Sequence, residues 1–217
     1  MLTTFFYSLL ALDQSVASLA AQYGPWIYAL LFLIIFAETG LVVFPFLPGD
    51  SILFIAGTVV ATADLNIHTL VIVLTAAAIL GDTVNYSVGH YIGPKIFDRP
   101  DSRWFKQEHL RRTQRFYDKY GGITIIIGRF VPIIRTFAPF LAGVAGMSYR
   151  RFLAFNVIGA VAWIASLTYA GYLFGNIPWV KQNLTLIVFA IVVVSLIPAV
   201  TTFVKEHRGS RRRRAPR

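Results

Sequence analysis

The chain has 217 residues, of which 56% are hydrophobic, 15% aromatic and 14% charged, and its mean hydropathy is +0.64. That composition excludes a water-soluble globular domain and leaves room for one compact membrane domain, without an added soluble enzyme. The lack of cysteine excludes disulfides, thiolate metal sites and a cysteine nucleophile, and the net charge of +10 is unevenly spread, since no Lys or Arg precedes Lys95.

In chain order, the stretch "MLTTFFYSLLALDQSVASLAAQYG" lacks the basic flank of a signal peptide and is expected to form an interfacial amphipathic helix. Residues 26–44, 69–92, 152–174 and 184–204 are mainly apolar and about 20 residues long, the length a helix needs to cross ~30 Å of hydrocarbon. They are the four expected full spans. Between them lie two broken segments, 45–64 with Pro45, Pro48 and Gly49, and 122–148 with Pro132 and Pro139. Proline removes a helix hydrogen bond, and in hydrocarbon the freed backbone groups need protein or water to satisfy them. Each broken segment is therefore expected inside the protein.

Two basic blocks set the expected orientation: "KIFDRPDSRWFKQEHLRRTQRFYDK" at 95–119 and the tail "KEHRGSRRRRAPR" at 205–217. Excess Lys and Arg marks the cytoplasmic side, with the tail placed to meet anionic lipid headgroups. A basic tail directly after a span is ordinarily a topogenic signal, so "RRRR" does not argue for nucleic acid. Segment 122–148 begins beside Lys119 and ends beside Arg150 and Arg151, so it enters and leaves on one side as a re-entrant hairpin. Segment 45–64 would then enter from the outer side, which puts the N-terminus inside. The halves also echo each other, "PFLPG" at 45–49 with "PFLAG" at 139–143 and "GHYIG" at 89–93 with "GYLFG" at 171–175. That is the pattern of an inverted repeat whose broken hairpins meet near the midplane. The fold class expected is an all-α polytopic membrane protein with four full spans, two opposed re-entrant hairpins and an N-terminal amphipathic helix. It makes one membrane domain over 1–205 and a basic tail over 206–217.

The stretches "AETGLVVFPFLPGDSILF", "GDTVNYSVGHYIG", "GRFVPIIRTFAPFLAG" and "MSYRRF" together resemble the DedA family of bacterial inner-membrane proteins, over roughly residues 20–205. The resemblance implies a four-span, two-hairpin fold distantly related to eukaryotic lipid scramblases. It also implies a role in membrane homeostasis, dependence on the proton-motive force, and translocation of lipids such as undecaprenyl phosphate or phosphatidylethanolamine. Glu38 and Asp50 match the family's membrane-embedded acids, and Arg129 and Arg135 its paired arginines.

Physical cost points to the same four residues, because an ionisable group within a span costs at least ~2.5–3.5 kcal/mol on insertion scales. Arg129 and Arg135 lie on either side of Pro132, and a break there would let two planar forks converge on a phosphate. The plainer alternative is that both arginines pair with Glu38 and Asp50 and fasten the hairpins together. Asp82, Asn85 and Tyr86 share one face of a span and are candidates for lining the same cavity. Trp104, Trp163 and Trp179 read as interface anchors or packing. Three acids facing two arginines leave one negative charge in excess, which one proton would balance. The sequence thus points to a proton-linked transporter of a lipid with a phosphate headgroup, with Glu38 and Asp50 coupling to protons and Arg129 and Arg135 binding substrate. Passive scrambling and a purely structural role are the alternatives. An enzyme is disfavoured because histidines at 68, 90, 109 and 207 have no metal-ligand spacing. Neither cofactor nor metal is expected, and a homo-oligomer is left open.

Overall fold

The computed structural model describes residues 24–41, 49–62, 65–97, 120–175, 177–183, 186–187 and 190. Among these residues there is no strand, and seven helices follow in order: α1 Trp26–Gly40, α2 Gly49–Thr62, α3 Ile67–Phe97, α4 Ile123–Gly128, α5 Pro132–Val144, α6 Tyr149–Gly175 and α7 Pro178–Gln182. Nearly all of the expected amphipathic helix, the first basic block beyond residue 97, the basic tail, Pro45 and Pro48 lie outside the described residues, as does nearly all of the expected span at 184–204.

Two helices are long and apolar enough to cross a membrane, over Ile67–Gly93 in α3 and Tyr149–Phe174 in α6. They cover the expected spans at 69–92 and 152–174. The expected span at 26–44 differs. Its helix α1 has 15 residues, about 22 Å at 1.5 Å per residue, which falls short of ~30 Å of hydrocarbon. The chain leaves the helix at Leu41, whose backbone is extended (φ −101°, ψ 108°), four residues before Pro45. Helix α2, with 14 residues, is equally short.

The second broken segment is a helical hairpin. Arg129, Phe130 and Val131 close the end of α4 with bonds three residues back, and Val131 is extended (φ −122°, ψ 107°), the conformation that a following proline enforces. Pro132 then starts α5 at its first turn, where its missing N–H is no loss. A methyl placed on Gly128 would lie 3.5 Å from Ala138 Cβ, whereas ten residues of straight helix span about 15 Å. The chain has doubled back. Pro139, expected to break the hairpin, does not: α5 runs through it to Val144, losing only the bond to the Arg135 carbonyl. The helix stops instead at Gly146 (φ 72°), with the Met147 N–H bonded to the Ala142 carbonyl at 3.1 Å in a Schellman arrangement.

Glycines set the two closest helix crossings, and the crossings are alike. On α2 against α6, a Cβ on Gly57 would meet the Thr168 carbonyl oxygen at 2.1 Å, and one on Gly171 the Phe54 carbonyl oxygen at 2.0 Å. On α5 against α3, a Cβ on Gly143 would meet the Tyr86 carbonyl oxygen at 2.2 Å, and one on Gly89 the Phe140 carbonyl oxygen at 2.1 Å. Gly57 thus stands to Gly171 as Gly143 stands to Gly89. Each short helix packs on the long helix of the other half. Glycines at 89 and 171 correspond as the sequence echo predicts, but the hairpin echo is out of register: the contacts align 54–58 with 140–144, not 45–49 with 139–143. In the second half the proline of "PFLAG", Pro139, lies inside α5.

The faces turned outward are apolar, with Trp26, Ile72, Ile127 and Leu173 all more than 60% exposed, while the buried set includes Glu38, Asp82, Asn85, Arg129, Arg135 and Asn156. Charge inside and hydrocarbon outside is the inverse of a water-soluble fold. Two apolar clusters flank the buried charges, one built around Leu31, Ile35, Leu53, Leu74 and Ile164 and one around Tyr86, Ile125, Ala142 and Phe152.

Candidate functional site: a buried charge cluster

The first four N–H groups of a helix have no partner within it and carry its positive end. At α2 this end is met by acids. The Gly49 N–H donates to Glu38 Oε1 at 3.2 Å, and Asp50 lies in the first turn of the same helix. Glu38 reaches this position from the end of α1, and a Cβ on Gly49 would sit 2.1 Å from Glu38 Oε2, so any side chain there would displace the carboxylate.

Arg135, on α5, joins these two acids. Its Nη1 donates to Asp50 Oδ1 at 2.8 Å and its Nη2 to Glu38 Oε1. One guanidinium fork is therefore divided between carboxylates on two helices. Arg129, in the turn of the hairpin, takes a separate partner: its Nη2 donates to Asp82 Oδ2 on α3 and to Asn156 Oδ1 on α6. The four charged side chains Glu38, Asp82, Arg129 and Arg135 are no more than 3% exposed, and Asp50 is 14% exposed. Among the described residues, Arg129 Nε and Nη1, Arg135 Nε, Glu38 Oε2 and Asp82 Oδ1 find no hydrogen-bond partner. Donors and acceptors are both left over in a buried volume where each is costly.

The structure therefore brings Glu38, Asp50, Asp82, Arg129 and Arg135 into one cluster. Asn85 borders it, its Nδ2 donating to the backbone carbonyls of Thr39 (3.3 Å) and Thr136 (2.8 Å), which ties α1 and α5 together through α3. Tyr86 stands apart. Its ring stacks on Phe152 with centroids 4.3 Å apart, and its hydroxyl donates to the Met147 carbonyl. One helical position separates it from Asn85, enough to turn it toward the second apolar cluster.

Sequence reasoning missed two residues. Asn156 accepts from Arg129. Trp163, expected at an interface or in packing, is fully buried; its Nε1–H donates to Asp50 Oδ1 at 2.9 Å. The Arg135 Cζ lies 4.5 Å and the Arg129 Cζ 5.9 Å from the centroid of its ring. Seven residues apart, Asn156 and Trp163 fall on one face of α6, and a lone amide inside an apolar span was the available signal.

The VTT domain family matches residues 47–173. The chain belongs to the DedA family. It is 53% identical over 206 residues to protein DedA of Escherichia coli K12, covering 94% of each chain. An uncharacterized membrane protein of Mycobacterium tuberculosis is 45% identical over 188 residues, with 86% of this chain and 82% of the relative covered. Inner membrane protein YghB of Escherichia coli K12 is 34% identical over 160 residues, covering 72% of each. No solved structure matches the chain. The family, the all-helical structure and its two long apolar helices mark a DedA-family membrane protein.

Proposed function

We propose that this protein moves a phosphate-bearing lipid across the bacterial inner membrane, and that movement is linked to the proton gradient. The observation that carries the reading is the divided fork of Arg135, with one nitrogen on Asp50 and the other on Glu38. A bidentate donor set matches a phosphate as well as it matches carboxylates. Spare donors on Arg129 and Arg135 favour the same ligand. In this reading the first re-entrant hairpin is the segment 45–64, which includes α2, and the second is 122–148, which includes α4 and α5. One opens outward and the other toward the cytoplasm, so their tips form a midplane site. Tyr149–Arg151 lie on the cytoplasmic side and Asn183 on the outer side.

Charge balance supplies the coupling. Arg129 is matched by Asp82, whereas Arg135 faces two carboxylates, so that group holds one negative charge in excess unless a proton is shared between Glu38 and Asp50. A phosphate that takes Arg135 leaves the two carboxylates with that one proton, and a second proton entering from the gradient restores neutrality. Departure of the lipid returns Arg135 to the acids and releases the second proton. The test is reconstitution in vesicles carrying fluorescent phosphatidylethanolamine or undecaprenyl phosphate, with and without a pH gradient. Translocation faster than in protein-free vesicles, and faster again with the gradient, is expected. No translocation of either lipid contradicts the reading, and rates indifferent to the gradient reduce it to passive scrambling.

A further inference from the structure

Trp163 lies where that exchange of partners has to occur. Its indole is touched by three charged groups from three other segments: Arg135 and Arg129 over the ring, at 4.5 and 5.9 Å, and Asp50 at the ring N–H, at 2.9 Å. Both cation distances are within the ~6 Å at which the negative face of an indole attracts a guanidinium. An indole N–H can only donate, and here it donates to the same Asp50 oxygen that accepts from Arg135 Nη1. Asp50 Oδ1 is therefore held by one charged and one neutral donor at once.

We propose that Trp163 is a positioning residue for the exchange: it keeps Asp50 in place through its N–H while Arg135 swings to the phosphate, and holds both guanidiniums near the site on its ring face. The inference rests on the lipid-phosphate reading above. When Arg135 leaves Asp50 Oδ1, the Trp163 N–H still donates to that oxygen. The inward face of α6 is shaped for the same task. Asn156 accepts from Arg129, and Gly159 leaves room for the Arg129 stem, since a Cβ there would lie 3.0 Å from Arg129 Cδ. Asn156, Gly159 and Trp163 are at helical spacing along one stripe. Packing alone would need only the bulk of the indole.

Two measurements test this. In the first, a chain carrying W26F, W104F and W179F retains Trp163 as its sole tryptophan, and its emission is followed in detergent during titration with dihexanoyl phosphatidic acid. A guanidinium leaving the ring face changes the emission, so a saturable shift is expected, with none from dihexanoyl glycerol, which lacks the phosphate. An emission that ignores both compounds overturns the proposal. In the second, W163F keeps an aromatic face and loses the donor. In vesicles it should lower gradient-driven lipid movement about tenfold, the scale of a hydrogen bond to a charged group, while lowering gradient-free exchange far less. W163L, which removes ring and donor, should lower the driven rate about a hundredfold. Equal losses with and without the gradient in W163F are what packing alone would give, and they overturn the proposal. Wild-type vesicles that move no lipid overturn both the proposal and the reading beneath it, whereas lipid movement with an unchanged gradient ratio in W163F overturns the proposal alone.

Discussion

The guanidinium of Arg135 donates to carboxylates from two helices, a geometry that an ammonium on a flexible stem does not reproduce. Arg135→Lys is therefore expected to lower lipid movement by about tenfold or more, given the strength of charge-assisted bonds, while the variant still inserts; translocation in vesicles at matched protein density checks this. The Arg129–Asp82 pair makes a different prediction because both partners are fully enclosed. Asp82→Leu leaves a buried cation unpaired and should cost about 3–5 kcal/mol of stability, whereas adding Arg129→Met should recover most of it. Denaturant unfolding in detergent distinguishes the two outcomes. At this scale the sequence was informative where a residue was costly. Glu38, Asp50, Arg129 and Arg135 stand out because charge within an apolar chain needs a reason. Pairing with Glu38 and Asp50 was one of the sequence readings and holds for Arg135; the partner of Arg129 was not legible, since Arg129 and Asp82 are 47 positions apart and nothing local links them. Trp163 was unreadable for the opposite reason, an indole being at home in any apolar span.

At the scale of helices, the fold depends on backbone approaches that leave no room for a side chain. A methyl on Gly57 or on Gly143 would lie within 2.2 Å of a carbonyl oxygen on the facing helix, and backbone cannot yield as a side chain does. Gly57→Ala and Gly143→Ala are each expected to destabilise the protein by about 1–3 kcal/mol, the cost of overpacking. Gly128→Ala, whose methyl would meet only Ile134 and Ala138 side chains, should cost less. Unfolding of the three variants side by side checks the ranking, and similar costs for Gly57 and Gly143 would agree with equivalent crossings. The long helices α3 and α6 were legible from apolar length alone, and the break before Pro132 from its chemistry. Pro139 misled because a helix packed on both sides tolerates one lost hydrogen bond. For the apolar run at 26–44, hydropathy did not show that the described helix ends at Gly40, with Leu41 extended.

For the whole molecule, the proposed arrangement fixes which ends face the cytoplasm. Cysteines are absent from the chain, so single cysteines introduced at Arg150 and Asn183 report without background. With a membrane-impermeant thiol reagent applied from outside, labelling is expected at position 183 and not at 150, and the reverse result would invert the topology. Three acids facing two arginines is the feature from which the proposed function follows, because one proton would balance them. The most direct measurement is lipid translocation in vesicles under an imposed pH gradient, comparing wild type with Glu38→Gln and Asp50→Asn. Each substitution replaces a group that can gain or lose a proton with one that cannot, at nearly unchanged shape. The account predicts that the gradient accelerates the wild-type rate and that both variants lose the acceleration while remaining folded; acceleration that survives in both variants, or a wild-type rate indifferent to the gradient, would contradict it.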